Sequence, residues 1–477
     1  MGPQPDRAEK PQGRLVVTAD RRRAGGGKRN SAPRFDEFAD MPGLAARRAA
    51  TRLLAAVVEA KTSLDGLTDH DNGHPQFRVL EMRDRALVRA ILTTALRFRR
   101  TIEALIAARL ERPLPGNAHT LSHVLHVAAA QMLFLDVPDS AAVDLAVTQA
   151  KSDPRTARFA ALVNGVLREI ARRKDRALPA ALGATTEAPD WFAERLKAAY
   201  GDDHANAILA AHRVEAPVDL TVKSDPAGWA EKLGGVVLPT GGVRLAKLEG
   251  PVVAFPGFED GEWWVQDAAA SIPAQLFGDI KGLRVADLCA APGGKTAQLA
   301  HAGARVTALE LSANRAKRLA GNLERLKLDA EIVVADLMAY EPSELFDAVL
   351  LDAPCSSTGT VRRHPDVPWT KGPEDVAKLA DVQARMLMRA ATLVKPGGVL
   401  IFSNCSLDPL EGEGLYRDFL SETTGLAADP IKPGEFPLVD PFLTDEGTVR
   451  TTPAGLDMGS PALSGLDGFF AARLRRR

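Results

Sequence analysis

Three cysteines, Cys289, Cys355 and Cys405, are the thiols of this 477-residue chain, and each stands at the end of an apolar run that reads as a strand. An odd number spaced this far apart argues against a disulfide framework and against paired metal ligands. A single cysteine is most often a small buried hydrophobe, but three at strand ends weaken that reading. Cys355 lies in LLDAPCSSTG and Cys405 in IFSNCSLDPLEGE. Two thiols beside a methyl donor suit the methylation of a carbon that is not itself nucleophilic. Addition of a thiolate to C6 of a pyrimidine makes C5 enamine-like, so that C5 takes the methyl group. Loss of the C5 proton and expulsion of the thiolate then restore the ring. A free cysteine is already a few per cent thiolate near pH 7. The second thiol is suited to assist release by acting on the C5 proton. Spacing alone leaves open which cysteine attacks, and a Pro-Cys context of the kind used by DNA cytosine-C5 methyltransferases nominates Cys355.

The third cysteine opens CAAPGGKT, one glycine short of the phosphate-cradling pattern GxxxxGK[ST]. A phosphate nest needs successive backbone N–H donors. Cys289, Ala290, Ala291 and Pro292 fill the loop instead, and proline donates no N–H. The loop follows one strand and opens a helix, the place where a doubly wound sheet binds its ligand. Gly293, Gly294 and Lys295 complete it. Acids then close the next strands. Glu310 is placed to accept the hydroxyls of a ribose, Asp336 to meet an adenine edge, and Asp352 to lie near an ammonium group. A ribose, an adenine and a cation without a phosphate describe S-adenosylmethionine, which is the expected cofactor. No metal site is expected: His119, His123 and His126 have helical spacing but sit among Leu121, Val124, Leu125 and Val127, as packing residues do.

These residues need elements to hold them. From Leu283 short apolar strands alternate with helical segments, which implies βαβ units and a parallel sheet covered on both faces. Residues 44–178 are helical throughout, with apolar positions at three- and four-residue spacing punctuated by Pro113, Pro115, Pro138 and Pro154. Residues 186–275 mix one helix with short strands. Residues 1–43 have little to bury and read as a disordered basic tail. The expected architecture is therefore multidomain, α and α/β: an all-α bundle, a small α+β middle domain, and a Rossmann-like S-adenosylmethionine-dependent methyltransferase domain over 276–477.

Net charge is −1, but residues 1–34 carry nine Lys/Arg against three Asp/Glu, and 151–176 carry eight against three. Such a basic front fits a polyanion weakly, since most charge runs are solvated faces. No run of about 18 apolar residues appears and no secretory h-region opens the chain, so the cytoplasm and no membrane contact are expected.

DLCAAPGGKT, LLDAPCSSTGTVRRHPD and SNCSLDPLEGE, in this order, resemble the motifs of RNA cytosine-C5 methyltransferases of the bacterial small-subunit rRNA branch, the RsmB or Sun type. The helical region resembles the NusB-like RNA-binding domain of that branch, and the closing GLDGFFAARLRRR resembles its last strand. The resemblance reverses the choice of nucleophile: it implies that Cys405 attacks and Cys355 helps release the product. It also implies that the Cys289–Lys295 loop, Glu310, Asp336 and Asp352 bind S-adenosylmethionine, with Asp352 also touching the base. Asn404 stands where threonine is usual, and Glu411-Gly412-Glu413 replaces Glu-Asn-Glu.

The expected substrate is a cytosine in a single-stranded or loop segment of small-subunit rRNA, because a base must leave its stack to expose C6. Arg362, Arg363 and His364 are candidates for RNA phosphate contacts. Trp263-Trp264 is read as buried between the middle and catalytic domains rather than as a stacking platform. No obligate protein partner is evident. The rival reading is an RNA-binding assembly factor that keeps the fold without turnover, but a binder needs neither Cys355 nor Cys405.

Overall fold

The computed structural model describes residues 41–116, 118–436 and 438–477, which form two compact units parting between Ala188 and Pro189. The expected tail lies outside the described residues except for Met41–Gly43.

In the first unit the helices Leu44–Val58, Met82–Arg97, His119–Phe134, Asp139–Ser152 and Ala160–Ala184 pack on one another. Their buried residues recur at helical spacing, as with Leu53, Leu54 and Val57 on the first and Val163, Val166, Leu167 and Ile170 on the last. The last helix passes through Pro179 and runs to Ala184. Beyond it, Glu187 accepts the backbone N–H groups of Arg100 (2.9 Å) and Thr101 (3.2 Å), capping the helix Arg99–Ala107. Residues past 178 thus fold back into the helical unit. His123 Nε2 meets Glu59 at 2.7 Å, and His126 Nδ1 meets the Ser122 carbonyl at 2.8 Å. Burial drives His126 down to about 3, so it packs as a neutral ring.

The second unit opens with the helix Asp190–Ala211, broken at Gly201 where φ is 76°. Four short strands follow: β1 (Val218–Val222), β2 (Val236–Val237), β3 (Val243–Leu245) and β4 (Trp263–Val265). They pair antiparallel in the order β2-β3-β1-β4. Asp219 on β1 and Arg244 on β3 are both fully buried and form a two-pronged ion pair, with Nε–Oδ1 at 2.6 Å and Nη2–Oδ2 at 2.7 Å.

The large sheet comprises β5 (Arg284–Leu288), β6 (Arg305–Glu310), β7 (Glu331–Val334), β8 (Phe346–Asp352), β9 (Val394–Asn404), β10 (Leu426–Ala428), β11 (Val449–Thr451) and β12 (Phe469–Arg476). Its order is β10-β12-β9-β8-β5-β6-β7, with β11 on β12; β5 to β9 run parallel and β12 enters antiparallel. Alternation along β8 sends Val349 and Leu351 to one face, against Leu387 of the helix Pro373–Thr392 and Phe419 of Glu413–Glu422. It sends Ala348 and Leu350 to the other face, against Ile272 of Ala268–Gln275 and Leu299 of Gly294–His301. Phe402 and Phe470 cross edge to face at 6.1 Å in the middle of the sheet. The chain reverses its winding between β5 and β8, and the strand ends there form the crevice of a doubly wound fold. Among the described residues no helix is long and apolar enough to cross a membrane.

Candidate active site

Where the loop leaves β5, Cys289 has φ 64°, the left-handed angle at which the phosphate-loop pattern has glycine. Ala290 N donates to Leu309 O at 3.0 Å, tying the loop to β6, and Gly293 N donates to Ala290 O at 2.9 Å to close the turn. Gly293 is required twice over. Its φ is 105°, and a Cβ there would stand 2.4 Å from Leu319 Cδ1. Arg315 holds the Ala291 carbonyl (2.6 Å) and Asn322 the Pro292 carbonyl (2.8 Å). Two of the loop's carbonyls are therefore bound by side chains, and the N–H groups of Ala290, Ala291 and Gly293 are already engaged within the protein.

The three strand-end acids stand in different environments. Glu310 is 3% exposed and accepts Ser312 N at 2.9 Å and Ala291 N at 3.3 Å. Asp336 is exposed, and one oxygen caps the turn Leu337–Ala339 through Met338 N at 2.9 Å. Asp352 accepts Lys295 Nζ at 2.7 Å and Ser403 Oγ at 2.9 Å. Lys295 also lies 5.0 Å above the Phe469 ring, so its ammonium is held on two sides.

Cys355 and Cys405, fifty residues apart, bring their sulfurs to 3.4 Å. The thiols are free and half-buried. The contact between them is the largest influence on both: it lowers Cys405 below the ordinary cysteine value and raises Cys355 well above it. Of the two, Cys405 is therefore the thiol that ionises more readily. Cys289 is pushed up to about 12 by burial and by the neighbouring carboxylates, so it resists ionisation.

Beneath the two cysteines lies a polar cluster that the sequence did not reveal. Each cysteine is followed by a serine, and both serines meet the same carboxylate. Glu411 Oε2 accepts Ser356 Oγ at 2.5 Å and Ser406 Oγ at 2.6 Å, while Oε1 accepts Ser356 N at 2.8 Å and Gln383 Nε2 at 2.9 Å. Glu411 is 0% exposed, so these bonds are what allow it to be there. Asn404 belongs to the same cluster, donating to Glu411 O at 2.7 Å and accepting Ser406 N at 3.0 Å. Glu413 grips Arg450 with two bonds, at 2.8 and 2.6 Å, and Arg450 in turn holds the Ser406 carbonyl at 2.5 Å. A side chain at Gly412 would put its Cβ 2.5 Å from Arg450 Nη2, which is why glycine separates the two acids here. Asp287, also unforeseen, ends β5 with Thr296 Oγ1 donating to it at 2.6 Å. The one available signal was its place at the strand end directly before the loop.

Arg362 and Arg363 are a correction to the expectation of phosphate contacts. Arg362 is 2% exposed and donates to the Ser464 carbonyl at 3.0 Å. Arg363 directs its donors inward, to Asp267 (2.5 Å), Asp467 (3.2 Å) and the Pro217 carbonyl (2.9 Å). Arg363 thus ties the segments flanking the middle sheet, at Pro217 and Asp267, to the loop that follows Cys355. Trp263 packs into the small sheet's core, and Trp264 packs among Ala290, Ala297 and Leu319 of the large domain, as burial rather than stacking requires.

Two cavities meet at this point. One, of about 500 Å3, runs from Glu310 and Asp336 past Pro354 to Cys355 and Cys405. Its apolar wall of Leu309, Leu311, Leu337 and Met338 with carboxylates at either end fits a nucleoside joined to a cationic chain. The other, of about 460 Å3, is lined by Lys295, Phe469, Thr360 and Asp467. Cys289, Ala291, Asp352 and Cys405 line both.

Residues 279–475 match the family described as 16S rRNA methyltransferase RsmB/F, and residues 44–172 match the NusB family. Fold, cavity and match define the class: an S-adenosylmethionine-dependent methyltransferase with a NusB-like helical region. The chain is 36% identical over 449 residues to ribosomal RNA small subunit methyltransferase B of Xylella fastidiosa, covering 91% of this chain and 98% of that one. It therefore belongs to the ribosomal RNA small subunit methyltransferase B family. Among solved structures, that of PH0851 shares the fold at a TM-score of 0.68 and 24% identity, over 91% of this chain and 99% of that one. NSun6 from Pyrococcus horikoshii with SFG does so at 0.50 and 18%, over 60% and 98%.

Proposed function

We propose that the protein methylates C5 of a cytosine in small-subunit rRNA, with Cys405 as nucleophile and Cys355 as its proton partner. The observation that carries this reading is the 3.4 Å contact between two thiols where two cavities meet. The first cavity would hold S-adenosylmethionine through the Cys289–Lys295 loop, Glu310, Asp336 and Asp352. When bound there, S-adenosylmethionine supplies an electrophilic methyl group. The second cavity takes the base, turned out of a single-stranded or loop segment at a cost of a few kcal/mol, with Asp352 and Lys295 beside its polar edge.

The Cys405 thiolate forms a bond to C6, and the C5–C6 π pair moves to C5, which becomes the nucleophile. While Cys405 carries that bond it can no longer draw on the Cys355 thiol, so the largest influence raising Cys355 is removed and its proton leaves to solvent more readily. Cys355 then takes the C5 proton once C5 carries the methyl group. The C5–C6 double bond re-forms, the S–C6 bond breaks, and Cys405 departs as a thiolate accepting from the Cys355 thiol. The pair ends as it began.

The test is methyl transfer from labelled S-adenosylmethionine to unmodified small-subunit rRNA, followed together with denaturant-resistant protein–RNA adduct. Cys405→Ala is expected to lose product and adduct alike, and Cys355→Ala to lose product while accumulating adduct. The swapped pattern would make Cys355 the nucleophile. Transfer surviving in both variants would remove the covalent mechanism.

A further inference from the structure

We infer that Glu411 is the positioning residue of the thiol pair: by binding the serine that follows each cysteine, it sets both loops in one register and holds the two sulfurs at contact. The inference rests on the reading that both thiols react. Glu411 lines neither cavity, so it touches neither base nor methyl donor. Its four acceptor contacts come from both loops and from the helix Pro373–Thr392 through Gln383. Thr358 Oγ1 closes the ring, 3.0 Å from Ser406 Oγ and accepting Leu407 N at 3.0 Å. The loop of Cys405 is further fixed from the other side by Arg450 on the Ser406 carbonyl, by Tyr200 Oη on the Leu407 carbonyl (2.7 Å), and by Arg195 on Asp408 (Nη2–Oδ1 2.8 Å). The loop of Cys355 has fewer outside contacts: Gly359 N donates to Cys405 O at 2.9 Å, and Gly359 O accepts Gly468 N at 2.8 Å. Among the described residues Thr358 Oγ1 also touches both serine hydroxyls, at 3.2 and 3.0 Å, and Glu411 is the charged acceptor that Ser356 and Ser406 share.

The chemistry follows from the charge. Four donors converge on a carboxylate that lies wholly out of water, and a carboxylate accepts at all of them without offering a proton back. A carboxamide of the same size that keeps its oxygen toward Ser356 N and Gln383 turns its NH2 toward both hydroxyls, which must then accept at about 2.9 Å instead of donating at 2.5 and 2.6 Å, so both serines shift. A displacement near 1 Å between reacting groups costs about a hundredfold in rate.

The experiment compares wild type with Glu411→Gln, Ser356→Ala and Ser406→Ala. Two readouts are taken: the pH profile of iodoacetamide alkylation at Cys405, assigned by peptide mapping, and single-turnover methyl transfer with S-adenosylmethionine affinity measured alongside. Glu411→Gln is expected to shift the Cys405 alkylation profile toward that of an ordinary thiol and to slow transfer about a hundredfold, with S-adenosylmethionine affinity within twofold of wild type. Each serine variant is expected to give a part of both effects, and Ser356→Ala combined with Glu411→Gln to add little to Glu411→Gln alone. An unshifted alkylation profile and unchanged transfer in a folded Glu411→Gln protein overturn the inference. If Glu411→Gln does not fold, the serine variants decide, and wild-type profiles in both overturn it equally. Alkylation needs no RNA, so a shifted profile in a protein whose Cys405→Ala variant still transfers methyl would mean that the positioning is real and the covalent mechanism is wrong.

Discussion

Asp287→Asn isolates one buried charge beneath the cofactor loop. The carboxyl of Asp287 is 1% exposed, with one oxygen accepting from Thr296 and the other without a hydrogen-bond partner among the described residues. Burial is the main influence and pushes it up to about 7 from 3.8. A carboxyl raised on folding holds its proton more tightly in the folded chain, so between pH 3.8 and 7 the folded state carries more protons than the unfolded one. Stability therefore falls as pH rises through that window. A gap of about three pKa units corresponds to about 4 kcal/mol, of which about 3 kcal/mol falls between pH 5 and pH 8. Asparagine cannot ionise and still accepts from Thr296. Its amide N–H takes the place of the partnerless oxygen at a cost of about 1–3 kcal/mol, but that cost does not vary with pH.

The difference between wild type and Asp287→Asn is therefore the quantity to follow. Asparagine should gain on wild type by about 3 kcal/mol from pH 5 to pH 8, and other titrating groups cancel in the subtraction. All five tryptophans, Trp191, Trp229, Trp263, Trp264 and Trp369, lie in the second unit, so urea unfolding followed by tryptophan fluorescence reports that unit without the helical one. A difference that stays constant across this range, to within about 0.5 kcal/mol, would show that Asp287 is charged throughout and that its burial has been offset by contacts not recognised above.

Arg363→Gln should destabilise the second unit by about 3 kcal/mol, and more at pH 8 than at pH 5, because Asp267 and Asp467 lose their shared counter-ion. Fluorescence-monitored melts at the two pH values check this, and loss of RNA affinity with unchanged stability would restore the phosphate-contact reading. Hydrogen peroxide at low concentration should convert the two thiols at 3.4 Å to a disulfide and two waters, taking the free-thiol count from three to one and abolishing methyl transfer until dithiothreitol is added. Three thiols still titrating after transfer has been lost would rule the disulfide out.

What was legible in the sequence is what is local. The loop from Cys289 to Thr296, the strand-end acids and the alternation of strand and helix depend on neighbours a few residues away, so their types and spacing carry the information. Arg362 and Arg363 were misjudged because a basic run looks the same whether it faces water or a buried acid. The partners that turn Arg363 inward are 96 and 104 residues distant. Glu411 was visible only as part of an altered motif. Nothing in Glu-Gly-Glu tells that the first acid binds two serines fifty residues apart while the second binds an arginine from β11. Asp336, expected to meet an adenine edge, lines the first cavity with one oxygen already engaged as a turn cap.

The meeting of the two thiols is finally a matter of sheet register. β8 and β9 run parallel with Asp352 opposite Ser403, and Ser403 Oγ donates to Asp352 across that pair. Cys355 and Cys405 follow within three residues of this rung, so the strands deliver both loops side by side before either loop folds. A slip of one residue would send Ser403 to the wrong face and lose the bond. The irregularity in this pairing lies at the opposite end, where Lys395, Pro396, Gly397 and Gly398 on β9 stand against Asp347 alone on β8. Asp347 steadies that end by accepting Lys395 Nζ at 2.7 Å and Arg284 N at 2.8 Å. The surplus residues are thus absorbed far from the cysteines, and the five paired rungs from Ala348–Val399 to Asp352–Ser403 reach the crevice in unbroken register. Glu411 completes what the register begins: the sheet brings the loops together, and a single carboxylate holds their serines so that the sulfurs touch.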